Sequence, residues 1–401
     1  MKVGAIKVTA NNKEAMRQEN RRHVLSIIGI GSVSRIELVK ETGLSRATIT
    51  EITAELLEDG IIVEAGKKNI QNNLGRKPIA LEINPSWGYV IGVNIEREYY
   101  EVGLLTIDMG VVGDTVRINA AGSPESILNQ IEKEANILIE KNAIDTEKII
   151  GIGAITPGPV DAARGIILNP VNFEPWHDFR LKDNLSRRFP YRVYTHHNAT
   201  AYTMMENNGR FGNFALYAIN NGIGFGLVLN GQAYNEGRNF CCQIAHTSLN
   251  LNGRLCPCGN KGCLEMYASV AAVLHEARRV KPEIDKWHDF IDLAYERDPF
   301  CNDLLISQAE YISYSIINLN NILELDAVII TGLAAYRGEM LLDHIRRHVN
   351  RQLSKENRPE LTVINSRIKE NIGIKAAGML VIDELFSKNL YSEIKLAERP
   401  Q

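Results

Sequence analysis

No apolar run in the 401 residues approaches the roughly 20 that a membrane helix needs. The opening M-K-V-G-A-I-K-V-T-A-N-N has no continuous apolar core of the kind a secretory signal carries. Both absences lead us to expect a cytoplasmic chain with no membrane partner. Cysteine is scarce, six in all, and three of them crowd one short stretch, leaving Cys241, Cys242 and Cys301 elsewhere. That pattern fits a reducing compartment better than a disulfide framework. Strong net charge is lacking too: the total is −3, with charged and apolar fractions of 23% and 45% that are ordinary for a soluble globular protein. The length allows two or three domains and a sizeable core.

The small net charge hides an uneven distribution. Residues 1–80 hold 13 Lys/Arg against 9 Asp/Glu, while the remainder holds 32 against 39. A mildly basic head on an acidic body suggests an anionic partner for the head alone. The pattern beneath the charge is stronger. Residues 13–29 read as an amphipathic helix ending at Gly29, with Met16, Val24, Leu25, Ile27 and Ile28 apolar beside Arg17, Arg21 and Arg22. Ser34 with Glu37 forms a capping box that opens a short helix. Gly43 makes a turn, and Ser45 caps a second helix that ends at Gly60. Two helices joined by a tight turn are a helix-turn-helix. On the second, Ile49, Ile52 and Leu56 share one face, and Arg46, Ala47, Thr50 and Glu51 lie at the positions from which a recognition helix reaches base edges, next to Ser45. I-I-V-E-A-G and P-I-A-L-E-I-N then read as strands around a polar loop with Lys67, Lys68, Arg76 and Lys77. That is a wing, whose basic tip grips phosphate or enters a minor groove. A small protein-binding helical module is the alternative; helices, turn, wing and basic bias together favour operator DNA.

The stretch H-T-S-L-N-L-N-G-R-L-C-P-C-G-N-K-G-C-L-E places His246, Cys256, Cys258 and Cys263 within 18 residues. One imidazole and three thiolates complete a tetrahedral set for zinc, and a closed four-ligand set is structural. Gly253, Gly259 and Gly262 let a short loop wrap an ion. The alternative is a group of buried free cysteines. We expect one structural zinc per chain.

The body alternates strands and helices. W-G-Y-V-I-G-V-N-I, Y-Y-E-V-G-L-L-T-I-D and K-I-I-G-I-G-A-I-T-P-G-P-V-D are strands, with a helix near 124–142 between the second and third. Y-R-V-Y-T-H-H-N ends a strand at a polar cluster, F-A-L-Y-A-I-N-N-G-I-G-F-G-L-V-L-N-G is a strand, turn and strand, and long helices run to about residue 323 before D-A-V-I-I-T-G-L. This is an α/β body with a cleft. G-I-G-A-I-T-P-G-P-V-D, N-G-I-G-F-G-L-V and C-P-C-G-N-K-G-C-L-E resemble, in order, the body motifs of the ROK family of sugar-responsive repressors, open reading frames and sugar kinases. S-R-I-E-L-V-K-E-T-G-L-S-R-A-T-I-T and G-R-K-P resemble the winged head of its repressor branch. The resemblance covers residues 13–390. It implies a two-lobed, actin-like body of RNase H-like α/β units, sugar bound between the lobes, and a homodimer or dimer of dimers. We expect a winged helix-turn-helix over 1–82, a small lobe over 83–200 completed by a C-terminal helix at about 375–396, and a large lobe over 201–374 with the zinc site and oligomer contacts.

Family kinases carry a phosphate-binding D-x-G-G-T turn after the first strand. Here Asn94, Ile95, Glu96, Arg97 and Glu98 stand there. The glycines that let backbone N–H groups approach phosphate are gone, and Glu96 and Glu98 would repel it. The catalytic aspartate of the family's N-D pair matches Asn198, after His197. An amide is no general base, and His197 has no phosphate turn to serve. We therefore expect no enzyme. By resemblance, Asn172, Asn198, Gln243, His246 and Glu265 bind sugar, with His246 also ligating zinc. Gln243 replaces the Glu of the family's A-G-E-I-G-H. With amides at 198 and 243, either the pocket favours an anionic effector such as a sugar phosphate, or sugar binding has decayed. Asn172 also reads as a plain turn residue and Glu265 as a helix N-terminal charge. The expectation is a repressor of carbohydrate uptake or catabolism genes, released from its operator by a sugar or sugar phosphate. A ligand-activated regulator, a bifunctional kinase-regulator and a regulator controlled by a protein partner are the alternatives.

Overall fold

The structure is a computed structural model, and it describes residues 11–67, 78–207, 209–234 and 242–387. The head forms as its turn chemistry dictates. Helix α1 (Asn11–Ile30) runs one residue past the expected stop. Strand β1 (Val33–Ser34) leads into α2 (Arg35–Thr42), α3 (Arg46–Glu58) and the pair β2 (Ile62–Lys67) and β3 (Ile79–Ile83). The Ser34 hydroxyl accepts the Glu37 N–H at 3.3 Å while the Glu37 carboxylate accepts the Ser34 N–H at 2.8 Å, closing the capping box. Gly43 is left-handed at φ 70°, and Ser45 accepts the Thr48 N–H at 3.1 Å. Val24, Leu25 and Ile28 pack on Leu38, Ile49, Ile52 and Leu56 as their spacing required. β1 was not foreseen; it pairs with β3, giving a sheet in the order β1–β3–β2.

The body follows as two lobes of one topology. In the first, β4 (Tyr89–Ile95), β5 (Tyr99–Thr106) and β6 (Val111–Asn119) form an antiparallel meander, and α4 (Pro124–Lys141) carries the chain to β7 (Ile149–Thr156). A small three-stranded sheet of β8 (Val160–Asp161), β9 (Ile166–Ile167) and β10 (Phe179–Arg180) precedes α5 (Leu181–Arg188), β11 (Arg192–His197) and α6 (Asn198–Glu206). The main sheet has the order β11–β7–β4–β5–β6, with β11, β7 and β4 parallel. The second lobe repeats this plan. Antiparallel β12 (Phe214–Ile219), β13 (Ile223–Leu229) and β14 (Gln232–Ala233) are followed by α7 (Glu265–Ala268), α8 (Val270–Val280), α9 (Trp287–Tyr295) and α10 (Pro299–Leu323). Then come β15 (Ala327–Thr331), α11 (Glu339–Lys355), β16 (Thr362–Asn365) and α12 (Ile372–Ser387). Its sheet order is β14–β13–β12–β15–β16, with β12, β15 and β16 parallel.

Helix α12, which begins at Ile372, packs on β4, β5 and β7 of the first sheet. It lies so close to the sheet that a Cβ at Gly153 of β7 would sit 1.7 Å from the Ala377 carbonyl oxygen. The expected lobe boundary at residue 200 falls inside α6. That helix packs on β12, β13 and α12, because its buried Ala199, Ala201 and Tyr202 join a core with Phe214, Leu216 and Leu380. No helix among the described residues is long and apolar enough to cross a membrane.

Candidate functional site

The head presents α3 outward. Ser45, Arg46, Ala47, Thr50 and Glu51 are all exposed, while Ile49, Ile52 and Leu56 are buried beneath them. Ser45 spends its hydroxyl on the helix cap, and Thr50 donates to the Arg46 carbonyl at 2.8 Å. Arg17 of α1 approaches Glu51 at 3.7 Å and pairs with Glu55; Arg21 pairs with Glu55 and Asp59. The wing's paired stems are β2 and β3. Its tip, with Lys68, Arg76 and Lys77, lies outside the described residues.

The cleft is built where the lobes' equivalent first hairpins meet. The β4–β5 turn carries Glu96, Arg97 and Glu98; the β12–β13 turn carries Asn220, Asn221 and Gly222. Asn221 Nδ2 donates to Glu98 Oε1 at 2.6 Å. Asn198, opening α6, donates from Nδ2 to Glu96 Oε1 at 3.0 Å and accepts the Ala199 N–H at 2.7 Å. Burial raises the Glu96 carboxyl to about 7, against the lowering pull of Asn198 and Arg97. The His197 ring lies against Gly158. Burial first, then His196 and Arg97, push it down to about 3, so it is a neutral and weak base.

Arg97 reaches away from its turn: Nε and Nη2 both donate to the Val171 carbonyl, at 3.1 and 2.8 Å. The next residue, Asn172, is exposed and left-handed at φ 56°, in keeping with a turn role. Glu265, first in α7, accepts the Ile223 N–H at 2.9 Å. A Cβ on Gly222 would come 2.8 Å from Glu265 Oε2, so that turn admits the carboxylate only because it is bare. Gln243 is half-buried ahead of the tight turn Ile244–His246 and makes no hydrogen bond to these groups among the described residues. The structure thus joins Asn198 to Glu96 of the β4–β5 turn, sets Glu265 against the β12–β13 turn, and sets Asn172 beside Arg97's anchor. Arg97 itself was readable from sequence only as a broken phosphate turn. Its reach depends on a loop 74 residues away.

His246 Nδ1 lies 3.6 Å from Cys256 Sγ, and Cys258 Sγ lies 3.7 Å from Cys263 Sγ. All four ligand atoms fall within 4.8 Å of one another. A tetrahedron with metal–sulfur bonds of about 2.3 Å has edges of about 3.7 Å, so this cluster can hold a metal ion. Bridges Ser248–Cys263 and Leu255–Lys261 tie the loop. The Arg254 N–H donates to the Tyr267 hydroxyl at 2.8 Å, and Tyr267 stacks on Tyr311 of α10 with ring centroids 4.3 Å apart. Cys263 stands two residues before Glu265, so the ligand loop also positions a cleft carboxylate. A separate groove of about 840 Å³ between α10 and α11 shares none of these residues.

A family model described as the ROK family matches residues 90–384. The xylose repressor of Caldicellulosiruptor bescii is 26% identical over 395 residues, covering 94% of this chain and 98% of its own. A solved ROK family transcriptional regulator, described as a homologue of the Escherichia coli Mlc protein, superposes with a TM-score of 0.75 at 22% identity. It covers 94% of this chain and 99% of that one. A Streptomyces griseus ROK glucokinase, solved with glucose and AMPPNP, gives a TM-score of 0.65 at 23% identity over 73% of this chain and 99% of its own. The body fold is therefore common to regulators and kinases, and fold alone does not decide catalysis.

Proposed function

The chain belongs to the ROK family, and from that premise we propose that it is a sugar-responsive, DNA-binding transcriptional repressor of genes for carbohydrate uptake or catabolism. The observation that carries this reading is the open N-terminal face of α3, where Arg46, Ala47, Thr50 and Glu51 stand exposed on a helix whose other side is sealed in the head core. Likeness to a xylose repressor over 94% of the chain supports it, since that span is too large to omit the head. In this account two copies, as a homodimer or a dimer of dimers, set their α3 helices in successive major grooves of a pseudo-palindromic operator. Ser45, Arg46, Ala47, Thr50 and Glu51 meet the groove, and Arg76 and Lys77 at the wing grip the backbone.

The effector, a sugar or sugar phosphate, binds between the lobes among Asn172, Asn198, Gln243, His246 and Glu265. It favours a body geometry that mis-spaces the heads, which requires unequal affinity for the two states. Zinc, held by His246, Cys256, Cys258 and Cys263, supplies a fixed cross-link rather than reaction chemistry. His246 and Glu265 take their places from that loop. The protein is not an enzyme in this reading: Glu96 and Glu98 occupy the phosphate turn, Asn198 is an amide, and His197 binds a proton only weakly. Incubation of the pure protein with ATP and a panel of hexoses, pentoses and acetylated hexosamines should yield no sugar phosphate, while labelled operator DNA is bound by the same sample. Turnover in that assay would restore the kinase-regulator.

A further inference from the structure

Helix α3 has spent on itself several of the hydrogen-bonding groups that it presents outward. The Ser45 hydroxyl accepts the Thr48 N–H at 3.1 Å and lies 2.9 Å from the Thr48 hydroxyl. The Thr50 hydroxyl gives its one proton to the Arg46 carbonyl at 2.8 Å, one turn back along the same helix. No proton is left there for an acceptor on a base. What Thr50 offers instead is a methyl group and an accepting oxygen. Ala47 offers a methyl alone, and at three residues' separation the two side chains are neighbours on the helix surface. Both are exposed, while Ile49 and Ile52 are buried on the side turned to the head core. Glu51, also exposed, is four residues from Ala47, and its carboxylate can only accept. The Arg17 guanidinium, 3.7 Å away, offsets part of a charge that DNA would otherwise repel. Ala47, Thr50 and Glu51 thus hold no free donor among them. They cannot read guanine, whose major-groove edge only accepts.

We infer that Ala47, Thr50 and Glu51 select A·T pairs, and that Thr50 does so by packing its methyl on the thymine methyl, not by hydrogen bonding. An A·T pair presents in the major groove the two features that these side chains can use, the thymine methyl and the adenine N6 amino group. A G·C pair presents an amino group, on cytosine N4, but no methyl. The methyl contact therefore decides between the pairs, and Glu51 or the Thr50 oxygen accepts from whichever amino group lies beside it. This rests on the reading that α3 enters a major groove of operator DNA.

The test lets full-length protein select duplexes from a randomised library, and the tightest duplex becomes the probe. Each thymine of its half-site is then replaced in turn by uracil, which removes the methyl and keeps every hydrogen-bonding group. At one or two positions the wild type should bind the uracil duplex about fourfold more weakly, the worth of one buried carbon. Thr50→Val keeps the methyl without the hydroxyl and should discriminate as the wild type does. Thr50→Ser keeps the hydroxyl without the methyl and should bind thymine and uracil alike at one of those positions. At the same position 5-methylcytosine, paired with guanine, should bind the wild type better than cytosine does. Melting temperatures report that each variant is folded; if one is not, the uracil and 5-methylcytosine arms on the wild type still decide. Uracil duplexes that all bind as well as their parent would overturn the inference and leave the repressor reading standing. So would a Thr50→Ser that discriminates like the wild type, or a Thr50→Val that does not. Failure to select any duplex would overturn both.

Discussion

Arg46 stands exposed on the first turn of α3, and no ion pair holds it among the described residues. Its truncation to alanine should cost about 1–3 kcal/mol of operator affinity and relax preference at one base pair, read by competition with single-base operator variants; unchanged affinity and preference would remove it from the interface. Glu51 is less free, because the Arg17 guanidinium lies 3.7 Å from its carboxylate. In the cleft, Glu265→Ala should abolish the effector response and leave operator binding intact, since the carboxylate serves the β12–β13 turn and not the head. Glu96 makes a prediction about pH. Its carboxyl, 4.5 when unfolded, is raised to about 7 by burial, with Asn198, Arg97 and Arg117 opposing and Glu101 adding. A raised folded value means that the native state holds the proton more tightly. Relative to Glu96→Gln, the wild type should therefore lose stability as pH rises from 4.5 towards about 7 and lose no more above it. His197 acts oppositely, costing stability as pH falls from 6.5 towards about 3. Urea midpoints of wild type and Glu96→Gln at pH about 5 and about 8 should diverge; a constant gap would mean that Glu96 ionises normally.

At the scale of elements, the ligand loop is the clearest unit. Its donors are local in sequence, so the spacing of His246, Cys256, Cys258 and Cys263 disclosed the cluster before any coordinates. Cys256→Ser should strip the metal, lower the melting temperature and silence the effector response, because Glu265 hangs from the end of the same loop; metal analysis that finds well under one ion per wild-type chain would end the zinc account. Helices α2 and α3 were likewise legible, since capping residues and the Ile49, Ile52 and Leu56 spacing are short-range signals. What sequence could not reveal depends on distant partners. β1 exists only through β3, α6 belongs with β12 and β13 by packing, and the bare Gly153 has meaning only because α12 crosses it. Gly153→Ala would drive a methyl into the Ala377 carbonyl. We expect it to destabilise the protein by about 1–3 kcal/mol, the usual cost of overpacking, measured by denaturant unfolding.

Across the whole molecule, two lobes repeat one strand order and the head is not loosely tethered to them. Val24, Leu25 and Ile28 of α1 share one apolar core with Val90 and Leu105 of the first sheet and with Val381 and Leu385 of α12. Trp87 Nε1 donates to the Asp59 carbonyl at 3.1 Å, fastening the end of α3 to the start of the body. Helix α12 also packs against α6, whose first residue is Asn198. Packing is therefore continuous from α6 at the cleft through α12 to the head. The alternation of strands and helices foretold an α/β body, and the family resemblance foretold two lobes. The route through α12 was hidden, because it is made of contacts between residues hundreds of positions apart. The most direct test is selection of bound fragments from the source genome, repeated with neutral sugars and their phosphates. The account predicts fragments upstream of carbohydrate uptake or breakdown genes, released by one compound. Specific fragments that no sugar releases would contradict it.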